Sequence, residues 1–180
     1  MTSSSNCFFL VSMVVSLLFF LEFTSTMAST KDIYAICNDP SAINKTFCLQ
    51  TLTAYPPAVS AKNMDELVRV TLDLGTTLAK ERAGFVAGLK KEATFKKYFE
   101  TCNDSYSQVV NYFESARSQI DEKPHGKDGA SLIILESSDY TQLVKDTIGK
   151  NTDKTSKRLM EMTLVMEDFI HIAFAAINYY

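Results

Sequence analysis

From Phe95 onward, apolar or small residues recur at Phe95, Phe99, Cys102, Tyr106, Val109, Phe113, Ala116 and Ile120, with steps that alternate between four and three. A turn of about 3.6 residues returns a side chain to the same face at such steps, so the spacing predicts a helix with a seam against other helices. The same alternation runs through Leu159, Met162, Met166, Phe169, Ala173, Ala176 and Tyr180 and predicts a second such helix. A third is expected from Asn63 to Leu89, with Leu67, Val70, Leu74, Leu78, Phe85 and Leu89 on its apolar face. Asn63 and Glu66 have the N-cap-to-N3 spacing of a capping box. Gly75, Gly84 and Gly88 each lower its intrinsic propensity by up to ~1 kcal/mol, so this helix relies on its neighbours. A fourth helix falls near Ser131 to Ile148, where Ile133, Tyr140, Val144 and Ile148 share a face that the polar stretch "ESSDYTQ" interrupts.

Strand signals are scarce, and no two alternating runs are joined by a hairpin turn. The polar stretches "AYPPAVSAKN", "DEKPHGKDGA" and "GKNTDKTS" separate the helical segments, the first because consecutive prolines do not continue a helix. The fold class that follows is all-α, an antiparallel four-helix bundle preceded by a small N-terminal helical hairpin over residues 30 to 54. Within the hairpin, "NDP" supplies the turn and Pro40 suits the first turn of the next helix. The expected organisation is a leader at residues 1–28, the hairpin at 29–57 and the bundle at 58–180, the last two forming one domain.

The ends and the charge place the chain in a compartment. From Cys7 to Leu21 the sequence is uncharged and apolar apart from two serines, and small polar residues follow. That run is shorter than the ~20 apolar residues a bilayer core requires and has the character of a signal-peptide core. Cleavage is expected after Ala28. An uncleaved signal anchor is the alternative reading, since no basic residue precedes Lys31. The chain has 18 basic and 21 acidic residues, so loss of Glu22 with the leader leaves a net charge of −2. Such a balance gives no reason to invoke nucleic acid or an anionic membrane, which favour concentrated positive charge. In an oxidising compartment Cys37 and Cys48 are the natural disulfide of the hairpin, and Cys102 remains unpaired. The sequons at Asn44 and Asn103 are N-glycosylation candidates and agree with passage through the secretory pathway.

Candidate chemistry is thin. The two histidines differ in place: His125 falls in a predicted turn, and His171 should face away from the last seam. No His, Cys, Asp or Glu cluster has metal-ligand spacing, and neither a phosphate loop nor a nucleophile elbow is present. Adjacent acids such as Glu167 and Asp168 point about 100° apart on a helix and do not act as a pair. The expectation is a protein without catalytic residues, metal or cofactor. Cys102 sits in the seam between Phe99 and Tyr106 and reads as a small buried hydrophobe, with a reactive thiol as the alternative.

Two segments carry a resemblance. "IYAICNDPSAINKTFCLQTL" is similar to the opening cysteine pair of the plant invertase/pectin methylesterase inhibitor family, and "FKKYFETCNDSYSQVVNYFESA" to its third cysteine, with Cys102 and Tyr106 on the matching positions. The resemblance covers essentially all of the chain after the leader. It implies a secreted inhibitor that blocks the active site of a carbohydrate-active cell-wall enzyme in a 1:1 complex without chemistry of its own. The implied location is the apoplast, with the vacuole a lesser expectation. Two departures shape the choice of target. The family carries a fourth cysteine early in the third bundle helix, bonded to the one at Cys102, whereas this chain reads "LESSDYTQLV" there, with Tyr140 or a neighbour in its place. Invertase inhibitors carry a Pro-Lys-Phe plug before that helix. Here the corresponding loop is Pro124, His125, Gly126 and Lys127, of which only the proline matches. The resemblance therefore points to pectin methylesterase, with invertase inhibition as the alternative and a non-inhibitory helical interaction protein as a third. In an acidic cell wall, carboxylates and His125 would make binding pH-dependent.

Overall fold

A computed structural model describes residues 29–89, 97–122 and 126–180; the leader, Phe95, Pro124 and His125 lie outside the described residues. The described chain is helical and contains no strand. Residues 29–38 form α1, followed by α2 (Lys45–Thr53), α3 (Pro56–Val59), α4 (Met64–Leu89), α5 (Tyr98–Asp121), α6 (Gly126–Ile148) and α7 (Lys154–Tyr179).

The first two helices are joined covalently by Cys37–Cys48, whose Cα atoms are 5.5 Å apart, and both cysteines are buried. Asn44 opens α2: its side-chain oxygen accepts the Phe47 N–H at 3.1 Å, satisfying one of the amides a helix start leaves without an internal partner. Pro40, expected in the first turn of that helix, stands outside it. It lies in the connection, where the Asp39 carboxylate accepts the Ser41 N–H at 2.8 Å and bends the chain first. The Pro56–Pro57 stretch, expected only as a break, forms the short helix α3. Both prolines stand at its start, where an amide would have no intrahelical acceptor anyway.

Asn63 accepts the Glu66 N–H at 2.9 Å, but the Glu66 carboxylate returns to the Lys62 N–H at 2.8 Å, one residue before the cap. The capping signal in the sequence is thus real and its return arm is shifted. The buried face of α4 differs from the expected one. Val68, Leu72, Gly75, Ala79, Arg82 and Val86 face inward with Leu67, Thr71 and Leu89, while Val70, Leu74, Leu78 and Phe85 are half-buried at the margins. Leu67 and Leu89 are buried as expected, but the stripe between them shifts because its middle uses small residues to admit a partner: a Cβ on Gly75 would stand 2.0 Å from the Phe113 ring of α5.

On α5 every described seam position from Phe99 to Ile120 is buried. Helix α6 begins at Gly126 rather than near Ser131, and its inner face is Ala130, Ile134, Ser137, Thr141, Val144 and Ile148. Two residues of the polar interruption, Ser137 and Thr141, are therefore part of the core, while Glu136, Asp139 and Gln142 are exposed. Ser137 donates to the Ile134 carbonyl at 2.5 Å and Thr141 to the Ser138 carbonyl at 2.9 Å, so each hydroxyl enters apolar surroundings already bonded. In α7 the Asp153 carboxylate caps the Ser156 N–H at 2.9 Å. Leu159, Met166, Phe169, Ala173 and Ala176 are buried as expected, whereas Met162 and Tyr180 are half-buried. Its second half also buries Ile170, Ile172, Ala175 and Ile177, because α2 covers a further side of it.

Helix α4 packs on α5 and α7, and α6 packs on the same two. Residues at the start of α4 meet those at the end of α5: Arg69 pairs with Asp121, Arg117 with Asp73 at 3.2 Å, and Lys80 with Glu114 at 2.6 Å. Arg69 and Arg117 are half-buried and their carboxylate partners exposed, so these pairs contribute little; the buried seams hold the helices together.

Candidate functional site

The four residues expected to form an inhibitory loop divide between two environments. Pro124 and His125 lie outside the described residues, and Gly126 and Lys127 belong to the first turn of α6. Gly126 is buried where α6 starts against α5, and a Cβ there would stand 1.7 Å from the Gln119 carbonyl oxygen. Only glycine permits the chain to turn back so tightly. Lys127 donates to the Asn178 carbonyl at 2.8 Å, and Ser131 donates to the Asn178 side chain at 3.1 Å. A cation near the last carbonyls of α7 complements the negative end of that helix, so Lys127 is committed to holding two helices together.

The outward face of α6 was not foreseen. Leu132, Leu135 and Leu143 are 63%, 39% and 44% exposed, on the side of the helix opposite Ala130, Ile134, Thr141 and Val144. Glu136, Asp139 and Asp146 stand among them. Exposed single leucines are ordinary, but three along one helix, edged by carboxylates, form a face whose burial requires another surface. The pattern hid because apolar residues at 132, 135 and 143 were all available to a core-facing reading.

Beneath that face the buried polar groups are structural. Tyr106 is fully buried, and its hydroxyl lies 2.7 Å from Thr163 Oγ1. Since Thr163 donates its proton to the Leu159 carbonyl at 2.7 Å, Tyr106 is the donor in that contact. Arg82 is buried and donates to the Met162 carbonyl at 2.9 Å and the Leu78 carbonyl at 2.7 Å, tying α4 to α7. Burial lowers its pKa, partly opposed by Tyr106 and Glu81. Lys145 and Glu167 pair at 2.6 Å between α6 and α7. Among the described residues no group of three His, Cys, Asp or Glu is placed to hold a metal. His171 is half-buried on α7.

Cys102 is unpaired and buried, and burial pushes its thiol up from 9.0 to about 12. Tyr106 is pushed up from 10.0 to about 12, again chiefly by burial. The thiol form persists in the native state, so alkylation at mildly alkaline pH should label Cys102 only after unfolding; rapid native-state labelling would contradict this environment. Both groups hold their protons more tightly folded than unfolded. Unfolding therefore releases protons above about pH 9, and stability should fall as pH rises through the 9 to 12 window, read as a lowered melting midpoint. No cysteine on α6 faces this seam, as the sequence implied.

The two sequons differ sharply. Asn44, Lys45 and Thr46 are all exposed at the start of α2, and Asn44 also donates to Asp168 of α7 at 2.8 Å. In the second sequon Asn103 is half-buried and Ser105 is 2% exposed, its hydroxyl without a hydrogen-bond partner among the described residues.

No helix among the described residues is long and apolar enough to cross a membrane. Comparison with protein-family models matches residues 31–166 to the plant invertase/pectin methylesterase inhibitor family. Comparison with curated proteins gives no match.

Proposed function

Because the chain belongs to the plant invertase/pectin methylesterase inhibitor family, we propose that it inhibits pectin methylesterase by covering the enzyme's active-site cleft in a 1:1 complex. In this reading residues 1–28 are a removed signal peptide, the protein is secreted to the cell wall, and Asn44 is the glycosylated sequon. The scaffold is an antiparallel four-helix bundle of α4 to α7 with the disulfide-pinned α1–α2 hairpin docked on it as one domain.

The observation that carries the proposal is the outer face of α6. Leu132, Leu135 and Leu143, exposed beside carboxylates, offer apolar burial and charge without any catalytic group. Such a face fits a contact that blocks rather than reacts, and a stable complex would bury about 1,600 Å² in all. The preference for pectin methylesterase over invertase rests on the α5–α6 connection. Gly126 and Lys127 are built into α6 and Lys127 is engaged by Asn178, which leaves no basic-aromatic plug at those positions.

Complex formation with purified pectin methylesterase, followed by gel filtration, tests the surface. The wild-type protein co-elutes with the enzyme, and Leu132→Asp/Leu143→Asp, exposed positions that leave the core intact, weakens the complex by about tenfold or more. Co-elution with acid invertase alone would favour the alternative target. Undiminished binding by the double variant would move the contact to another face.

A further inference from the structure

The opposite end of α7 carries a second surface feature. Thr152, Lys154, Lys157, Arg158 and Glu161 line an open pocket of about 550 Å³. Lys157 and Arg158 each stand three or four residues from both Lys154 and Glu161, so the four share one side of the helix. Lys154, Lys157 and Arg158 are exposed, and among the described residues none forms an ion pair. Arg158 is held in place from behind, its guanidinium carbon 4.9 Å from the centre of the Phe85 ring. The start of α7 is not what creates the site, because Asp153 already caps it. What distinguishes the pocket is three unpaired cations against one carboxylate, on a chain whose net charge is −3.

We propose that this pocket binds a linear polycarboxylate, the free-acid form of an acidic polysaccharide. A single small anion would be poorly enclosed by an open concavity, whereas a chain of regularly repeated carboxylates meets several cations along one helix at once. The choice of polyuronate over other polyanions rests on the pectin methylesterase reading, since that enzyme class converts methyl esters on a uronate chain into free carboxylates. The pocket then holds the inhibitor where de-esterified product accumulates, on a surface separate from the α6 leucines. Contacts of this kind between exposed charges are screened by salt.

The test is binding of the purified full-length secreted protein to de-esterified oligogalacturonate, measured by fluorescence anisotropy without any enzyme present. Binding should weaken steeply with added salt, be lost for the fully methyl-esterified oligomer, and fall by about tenfold or more in Lys154→Gln/Lys157→Gln/Arg158→Gln, as the sum of several modest charge contacts. The single variant Lys157→Gln gives a smaller loss in the same direction. Equal binding by the triple variant, equal binding of the methyl ester, or tighter binding to a nucleic-acid oligomer of the same charge would overturn the proposal. Inhibition of pectin methylesterase on a soluble short substrate is measured in parallel. The triple variant keeps it, so failure of this pocket and failure of the inhibitor reading produce different results.

Discussion

Gly75→Ala should destabilise the protein by roughly 2–3 kcal/mol, although it replaces the poorer helix former with the better one. In an open helix position the change would stabilise by up to ~1 kcal/mol. At Gly75 the added methyl carbon meets three atoms of the Phe113 ring at 2.0, 2.4 and 2.8 Å. Phe113 is fully buried, with the Phe169 ring 6.2 Å away, centre to centre, so little free space is left for it to retreat into. Overpacking then forces α4 and α5 apart or Phe113 off its rotamer, and either outweighs the propensity gain. For a chain of this size the midpoint should drop by roughly 6–12 °C. Gly84 and Gly88, on the same helix with nothing within 4 Å of an added Cβ, supply the control. Alanine there should raise the midpoint slightly. The double variant Gly75→Ala/Phe113→Leu should cost less than the sum of its parts, because the smaller side chain removes the clash. Equal stabilisation at all three glycines would mean that α4 and α5 are not packed through Gly75 and Phe113.

Removing the Cys37–Cys48 bond by Cys→Ser substitution at both positions should cost about 3 kcal/mol, the chain-entropy value for a loop with a sequence separation of 11. The loss is expected to fall unevenly. Helices α1 and α2 are short and have few internal resources, whereas the long helices keep their buried seams. The Ser29 hydroxyl, bonded to the Ala58 carbonyl at 2.5 Å, the Asn44–Asp168 contact and the burial of Ile33, Ile36 and Leu52 remain as ties. Release of the hairpin also uncovers part of the second half of α7, where α2 packs. Amide exchange should therefore accelerate in α1, α2 and the end of α7 before it does in α5. Unchanged exchange in α1 and α2 would show that the hairpin is held by packing alone.

The legibility of each helix followed from what its inner face is made of. On α5 the core consists of large apolar residues at strict four–three steps, so Phe99 to Ile120 could be read one by one. On α4 the inner stripe contains Gly75, Ala79 and Arg82, none of which announces a core position. Close approach of two backbones selects small residues, and an arginine enters a core only by bonding to carbonyls, here those of Leu78 and Met162. On α6, Ser137 and Thr141 looked like an interruption because their partners are backbone carbonyls of their own helix, invisible to periodicity. The same limitation concealed the candidate surface. Leu132, Leu135 and Leu143 count as hydrophobic wherever they point, and only the phase of the buried residues identifies them as outward. Cys37–Cys48 was legible from compartment and spacing, and the first turn of α6 was not, since Gly126 looked like a loop residue.

The most direct measurement is the residual activity of purified pectin methylesterase at mildly acidic pH as the oxidised protein is added, with acid invertase titrated in parallel. An active-site blocker of the proposed kind gives a saturable loss of pectin methylesterase activity with an endpoint at one inhibitor per enzyme, relieved by excess substrate, and leaves invertase untouched. Full activity of both enzymes, in the presence of protein shown to be helical and bonded at Cys37–Cys48, would contradict it and leave a helical scaffold without an inhibitory role.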